Sequence, residues 1–330
     1  VSHFHLDLTV LSIGENMASS SSSPPSSSSS PHVMKDGDHG NWAELPPDLT
    51  SSILLRLGAI EILENAQKVC RSWRRVCKDP SMWRKIDMRN PEELSSPKYD
   101  LEIMCRHAVD RSQGGLLEIE IWYFGTDSLL NYIADRSSNL RSLKFALSHL
   151  ITGEGLIQAV LKLPLLEELE VSYGISLSKE SLKVVGQSCP NLKTLKVNKF
   201  GYRDYATVCD DDALAIAETM PGLRHLQLFG NRLSNNGLNA ILNNCPNLEH
   251  LDLRQCFKLN LVGDLEKRCS ERIKDLRRPT DSTHDYTFDA MQIAMLIETD
   301  SSEDDIGCAG SLYYDFLNVS DNSDNDELVS

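Results

Sequence analysis

Three consecutive carboxylates, Asp210, Asp211 and Asp212, are a group of possible metal ligands within the central part of the sequence. Carboxylate oxygens suit hard cations such as Ca²⁺ and Mg²⁺. The residues that follow, 213–216, read Ala-Leu-Ala-Ile and are typical of a helix. Acidic side chains in a first helical turn accept hydrogen bonds from its amides and favour its dipole. The sequence therefore favours a helix start over a metal site.

Two histidines and two glutamates could do acid–base chemistry. His225 and His250 hold equivalent positions in successive copies of a repeated pattern, so we expect them to approach one another. Two histidines are nevertheless fewer ligands than a zinc site needs. Glu168 and Glu170 are expected to pair with lysines of neighbouring strands. The sequence has no phosphate-binding loop, G-x-S-x-G or H-E-x-x-H motif, so it predicts a non-enzymatic protein without metal or cofactor.

The elements that would carry these residues are copies of one pattern, L-x-x-L-x-L, with Ile, Val or Phe allowed. Successive copies are separated by 24, 26, 26, 31 and 25 residues and start at Leu116, Leu140, Leu166, Leu192, Leu223 and Leu248. This period is that of leucine-rich repeats, which combine a strand with a helix. Residues 89–278 are thus predicted to form an α/β solenoid of about six repeats, with an insertion at 199–208.

Alternation along each predicted strand sends the leucines inward and the residues between them to a concave face. On this face Phe229 is a candidate anchor for a partner, and packing against Tyr202 and Tyr205 is an equally good alternative. Trp122 is expected instead to pack against Tyr99 or the segment before the repeats. The residues predicted to contact a protein partner are Glu168, Glu170, Lys196, His225, Phe229, His250 and Arg254.

Residues 41–88 predict a separate module of three short helices. Prolines after Leu45 suit a first helical turn, and Leu49, Ile53 and Leu57 recur every four residues on one face. Cys70 lies on the apolar face of a second helix and is expected to pack there. So small a module cannot bury all its apolar side chains, so some must pack on another domain or on a partner.

The module resembles an F-box through Leu45-Pro46, Val69-Cys70-Arg71-Ser72-Trp73 and Asp79-Pro80-Ser81-Met82-Trp83. With its repeats, the chain is similar to plant F-box/leucine-rich-repeat proteins of the Skp-interacting type. The resemblance implies docking onto the Skp adaptor, and through it a cullin. The residues implied for that contact are Leu45, Pro46, Leu49, Ile53, Leu57, Val69, Cys70 and Trp73. An ordinary helical cap on a repeat domain is the alternative.

Composition limits the other function classes. The net charge is −15, and residues 279–330 hold thirteen acidic residues and no Lys or Arg, which argues against nucleic acid as a partner. Nine cysteines without a C-x-x-C pair suit a reducing compartment, the nucleus or the cytoplasm. No apolar run is long enough for a membrane span. We expect a disordered leader at 1–40, with Met17 as the natural start, and a disordered acidic tail at 279–330.

These expectations combine into one functional hypothesis. The chain is predicted to be the substrate-recognition subunit of a Skp–cullin–F-box (SCF) ubiquitin ligase, holding an unidentified protein substrate on its repeats. A small molecule could assist that contact, although the absence of long loops disfavours it. The alternative is a leucine-rich-repeat interaction scaffold without a ligase role.

Overall fold

The computed structural model describes residues 44–89, 100–174, 177–199 and 207–286, and in them one apolar core runs from the helical module into the repeats. The buried Trp83 and Ile86 lie where the two parts meet, and Ile86 pairs with Ile119 of the first repeat. Tyr99, Tyr202, Tyr205, the leader at 1–40 and the chain after residue 286 lie outside the described residues.

The module is built from short helices. They are α1 (Pro47–Leu54), α2 (Ala59–Glu61), a π-helical turn (Ile62–Ala66), α3 (Gln67–Val69), α4 (Arg71–Val76) and a 3₁₀ turn (Pro80–Trp83). The buried residues of α1 are Thr50 and Leu54, four apart on its inward face. Asp79 starts the 3₁₀ turn by accepting a hydrogen bond from the Ser81 amide at 2.9 Å. The loop carbonyl of Cys77 accepts one from the Trp83 indole, also at 2.9 Å.

The repeats form one parallel sheet whose described strands follow chain order from β1 to β8. They are β1 (Lys85–Met88), β2 (Glu118–Trp122), β3 (Ser142–Ala146), β4 (Glu168–Ser172), β5 (Thr194–Asn198), β6 (His225–Gln227), β7 (His250–Asp252) and β8 (Asp275–Arg277). The helices on the other side are α5 (Leu101–Arg111), α6 (Asp127–Arg136), α7 (Gly153–Val160), α8 (Lys179–Ser188), α9 (Asp211–Thr219), α10 (Asn235–Asn244) and α11 (Gly263–Arg272).

The described sheet has two strands more than the six predicted repeats. β1 lies inside the predicted module and pairs with β2, so the module supplies the first strand of the sheet. At the end of the module, Trp83, Ile86 and Met88 repeat the spacing of the leucine pattern with other apolar side chains. β8 keeps only Leu276 of that pattern's strand leucines, and its arginines hid it from a search for leucine spacing.

Polar side chains at the helix starts join successive repeats. Asp127 accepts hydrogen bonds from the backbone amide and hydroxyl of Thr152, both at 2.7 Å. Asp210 accepts the same pair from Ser234, also at 2.7 Å. Asp210 therefore bonds to the next repeat and makes no side-chain bond to its own helix. The predicted helix start is correct, but the main role of Asp210 is to connect α9 to α10.

Candidate protein-binding surfaces

The concave face carries parallel rows of side chains, because equivalent positions of neighbouring strands are in register. The first row consists of Lys85, Glu118, Ser142, Glu168, Thr194, His225, His250 and Asp275. The second row consists of Asp87, Glu120, Lys144, Glu170, Lys196, Gln227, Asp252 and Arg277. The strand register thus brings together the residues that the sequence places on this face.

Charges in these rows pair across strands. Lys144 lies 3.0 Å from Glu168, and Lys196 lies 3.0 Å from Glu170. Partial burial opposes ionisation of Glu168, but hydrogen bonds from Lys144 and Ser142 outweigh it and lower the pKa of this carboxyl. The predicted cross-strand pairing is therefore present, and it explains both glutamates without catalysis.

The two histidines stack as neighbours in the first row. The ring centroids of His225 and His250 are 4.3 Å apart and the rings are nearly parallel, at 13°. Burial, and then the neighbouring His250, lower the pKa of His225. In the part of the chain that the structure describes, no group of three or more His, Cys, Asp or Glu could hold a metal ion.

Aromatic residues form a second, smaller apolar cluster beside the carboxyl ends of the strands. Phe229 is only 6% exposed, and the Tyr286 ring stacks on it at 4.0 Å and 7°. The Tyr286 hydroxyl shares a hydrogen bond with the buried Tyr173 at 2.9 Å. The prediction of Phe229 as an exposed anchor is therefore wrong, because Tyr286 covers it.

Arg254, also predicted as an exposed contact, is only 5% exposed. One edge of its guanidinium donates to both carboxylate oxygens of Asp252, at 2.8–3.2 Å. Its Nη1 donates to the Ser282 carbonyl at 3.0 Å and to Asp285. Residues 279–286, which we call the return segment, therefore fold onto the repeats, and the predicted disordered tail does not begin at residue 279.

The same aromatic cluster includes Trp122. Trp122 is buried, as expected, with the Arg89 guanidinium 5.5 Å from its ring centroid and Tyr123 edge-on at 6.1 Å. A cavity of about 300 Å³ extends along the second row. It is lined by Arg89, Glu120, Trp122, Lys144, Glu170, Lys196, Gln227, Arg254, Asp285 and Tyr286.

In the helical module, the predicted docking residues differ in exposure. Leu49 on α1 is 51% exposed and Val69 at the end of α3 is 55% exposed. Pro46 is exposed as well, whereas Leu45 and Ile53 are half-buried. These side chains lie outside the core-facing stripe of α1.

The remaining predicted docking residues face the core to different degrees. Leu57 and Cys70 are half-buried against it, and the Cys70 thiol accepts a hydrogen bond from the Trp73 amide at 3.4 Å. Trp73 is only 6% exposed, so it packs inside the module. Trp73 is therefore a core residue of the module, and its part in the adaptor contact stays a prediction. A regular spacing of apolar residues cannot by itself distinguish the core-facing side of a short helix from its outer side.

Comparison with known proteins gives a consistent result. The model of the F-box-like family matches residues 42–89. The F-box protein SKIP19 of Arabidopsis thaliana is 63% identical over 307 residues, which cover 90% of this chain and 97% of that protein. The chain belongs to the plant F-box/leucine-rich-repeat family.

A second relative agrees with this family. Putative F-box/LRR-repeat protein 22 of Arabidopsis thaliana is 58% identical to the present F-box/leucine-rich-repeat protein over 276 residues, covering 83% of this chain and 88% of that one. Among solved structures, a chain of the yeast Rad7 and Elc1 complex covers 72% of this chain and 82% of its own length, at 14% identity and a TM-score of 0.37. Family membership supports, in general terms, the role of SCF substrate receptor.

Several residues of this F-box/leucine-rich-repeat protein escaped sequence reasoning. Leu55 is as exposed as Leu49 but lies outside the four-residue spacing. Tyr173 follows β4 in the left-handed conformation, with φ of 53°, as Tyr123 and Leu147 do after β2 and β3. In the sequence, the signal for Tyr173 was a large side chain at the same position after three successive strands. Tyr286 had none, because it lies in an acidic stretch beyond the repeats.

The cysteines of this family member give no sign of nucleophilic chemistry. All eight in the described residues are free, and six of them are buried. Burial raises the pKa of Cys105 and of Cys189 to about 12, and that of Cys245 to about 11. No helix in the described parts of the chain has the length and apolar character needed to cross a membrane.

Proposed function

We propose that this F-box/leucine-rich-repeat protein is the substrate receptor of an SCF ubiquitin ligase, with the helical module bound to the Skp adaptor and the concave face bound to a protein substrate. One observation carries the proposal. Leu49 and Val69, which we call the exposed F-box pair, present more than half of their apolar side chains to solvent in the segment that matches the F-box family. Apolar side chains left outward by a module that already has a core are typical of a docking surface.

The proposed receptor positions the substrate and carries out no chemical step itself. Binding to the Skp adaptor, and through it to a cullin, would hold a captured substrate near the ubiquitin-conjugating enzyme. This raises the effective concentration of substrate lysines at the reacting thioester. The continuous core between module and repeats supports this role, because a substrate on the sheet would keep a fixed relation to the adaptor. The compartment that suits it is the nucleus or the cytoplasm.

Copurification with the Skp adaptor tests the proposal. The wild-type chain should form a stoichiometric complex, and Leu45→Ala combined with Pro46→Ala should weaken it. Leu161→Ala is the matched control, because Leu161 is 59% exposed but follows α7 in the repeats. No complex with the wild-type chain would refute the proposal and favour an interaction scaffold without a ligase role. A double variant that binds as the wild type does would place the adaptor contact elsewhere.

A further inference from the structure

The return segment occupies the concave face in a specific way. After β8 the chain turns, with the Arg278 amide donating to the Asp281 carboxylate at 2.8 Å. It then runs back to Tyr286, which reaches Tyr173 at the end of β4. The Tyr286 ring stacks on Phe229, which follows β6, and its hydroxyl extends from there to Tyr173.

The surface under Tyr286 is built from several repeats. Tyr173, Phe229 and Arg254, which we call the tyrosine site, belong to three different repeats and are all buried when the return segment is in place. Phe229 supplies a flat ring for stacking, and the Tyr173 hydroxyl supplies a hydrogen-bond partner for a phenol. Asp252 fixes the guanidinium of Arg254, so that its Nη1 is directed at an incoming carboxylate.

Asp285 and Tyr286 occupy the tyrosine site, and their side chains match its chemistry. Asp285 accepts from Arg254 and lies 3.1 Å from Arg277, and hydrogen bonding to Arg254 lowers the pKa of its carboxyl. Tyr286 fills the aromatic part of the site. Asp285 itself remains exposed, and the described return segment has no strand of its own. Local opening of a segment outside the regular strands and helices costs less free energy than unfolding of the repeats.

We propose that the tyrosine site binds an acidic residue followed by tyrosine in a segment of a partner protein, and that Asp285–Tyr286 occupies it in cis until that partner displaces it. This inference rests on the receptor proposal in taking the concave face as the substrate side. We take the partner's tyrosine to be unphosphorylated, because the phenol of Tyr286 hydrogen-bonds to the buried Tyr173 in a place that Glu170 also lines. A phosphate would bring about −1.5 to −2 charges into that place.

A labelled peptide is the probe for this site. It carries residues 279–286, ends in an amide, and is titrated into the full chain by fluorescence anisotropy. Asp285→Ala combined with Tyr286→Ala opens the site of the full chain. If the cis segment fills the site nine-tenths of the time, opening should tighten peptide binding about tenfold. His284→Ala is the matched control on the same segment, because its side chain bonds only within the segment, to Ser282, and it should bind as the wild type does.

Peptide variants test the chemistry. With the opened chain, a peptide in which alanines replace Asp285 and Tyr286 should not bind measurably, and the Tyr286-phosphorylated peptide should bind more than tenfold more weakly. In the opened chain Tyr173→Phe, which removes only a hydroxyl, should abolish the preference for tyrosine over phenylalanine in the peptide. Asp285→Asn in the full chain is a milder opening that keeps the stacking, and it should tighten peptide binding several-fold.

Each contrary result is informative. Equal affinity of the opened and wild-type chains would show that the segment does not compete for the site, and absence of binding to both would show that the contact is only an end cap on the last repeat. Either result overturns the inference. The assay contains no adaptor, and Tyr173→Phe should leave adaptor copurification unchanged. If the peptide does not bind, the adaptor proposal is unaffected. If the adaptor does not copurify, the peptide-binding result is unaffected.

Discussion

The helical module and the repeats differ in how their strand and helix side chains are covered, although both leave single apolar side chains exposed. Each repeat covers the strand leucines of its neighbour, and Leu143, Leu169 and Leu195 are completely buried in adjacent strands. The module instead leaves Leu49 and Val69 more than half exposed. A stacked array supplies its own partner for every apolar face except at its ends. A small helical module has no such neighbour on its outer side, and under the receptor proposal its exposed apolar side chains contact the Skp adaptor.

Truncation inside the array should have the largest effect. Leu169→Ala removes a completely buried side chain from β4 and leaves a cavity between two repeats. We expect it to lower the free energy of unfolding by about 2–5 kcal/mol in urea titrations. Leu161→Ala, an exposed leucine of the same repeat region, should change it by less than about 0.5 kcal/mol. Equal losses for the two variants would contradict the assignment of core and surface.

The same kind of truncation in the module should affect binding rather than folding. Leu49→Ala combined with Val69→Ala should leave the unfolding free energy within about 1 kcal/mol of wild type. The affinity for the Skp adaptor should fall at least about tenfold, because each side chain loses burial worth about 1.5 kcal/mol or more at an interface. Isothermal titration calorimetry and urea unfolding measure the two effects. A variant that unfolds but keeps its affinity when folded would reverse the comparison.

Adding a single methyl group beside a polar contact between repeats should lower the free energy of unfolding. A Cβ at Gly237 would lie 2.4 Å from Asp210 Oδ1, so Gly237→Ala should break the bonds from Asp210 to Ser234. We expect a loss of about 1–3 kcal/mol in unfolding free energy. Gly222→Ala is the control, since the nearest atom to its Cβ would be the Leu192 carbonyl oxygen at 3.7 Å.

A double-mutant cycle separates this contact from general crowding. Asp210→Ala should cost less in the Gly237→Ala background than in the wild type, because the bonds to Ser234 are already broken there. Strict additivity of the two changes would place the cost of Gly237→Ala elsewhere.

The histidine stack should give the smallest effect. The pKa of His225 is lowered, first by burial and then by His250, so the unfolded chain binds protons at a higher pH than the folded chain does. The contribution of His225 to stability is therefore complete above its ordinary pKa of about 6.5, and it declines as the pH falls from there towards the lowered value. Nuclear magnetic resonance titration of the imidazole should give a midpoint below 6.5. A midpoint at or above that value would contradict the burial of the stack.

Much of the repeat architecture could be predicted, because burial repeats along the sequence. The six leucine patterns, the inward alternation and the approach of His225 to His250 follow from a period that each strand must obey. β1 and β8 were missed because they build the same interior from other side chains, such as Trp83 and Met88, or expose charge at the end of the array. The pattern detects leucines, whereas the sheet requires only apolar side chains facing the helices.

The site was less predictable than the fold for a physical reason. Positions on the concave face follow from alternation, but their accessibility depends on a contact between residues far apart in sequence. Tyr286 covers Phe229 and bonds to Tyr173, and no local pattern connects these three residues. In the module, the F-box resemblance named both Leu49, which is exposed, and Trp73, which is buried, because both faces of a short helix can carry apolar side chains. A core residue and a docking residue have the same sequence signature there.

Hydrogen–deuterium exchange of the full chain, with and without the Skp adaptor, tests the division of labour between the two regions most directly. Adaptor binding should slow exchange in the segments that carry the exposed F-box pair, at 47–57 and 64–76. Exchange in the concave strands from β3 to β8 should stay unchanged, which leaves that face open to a substrate. Slower exchange across those strands with none in the module would contradict the account.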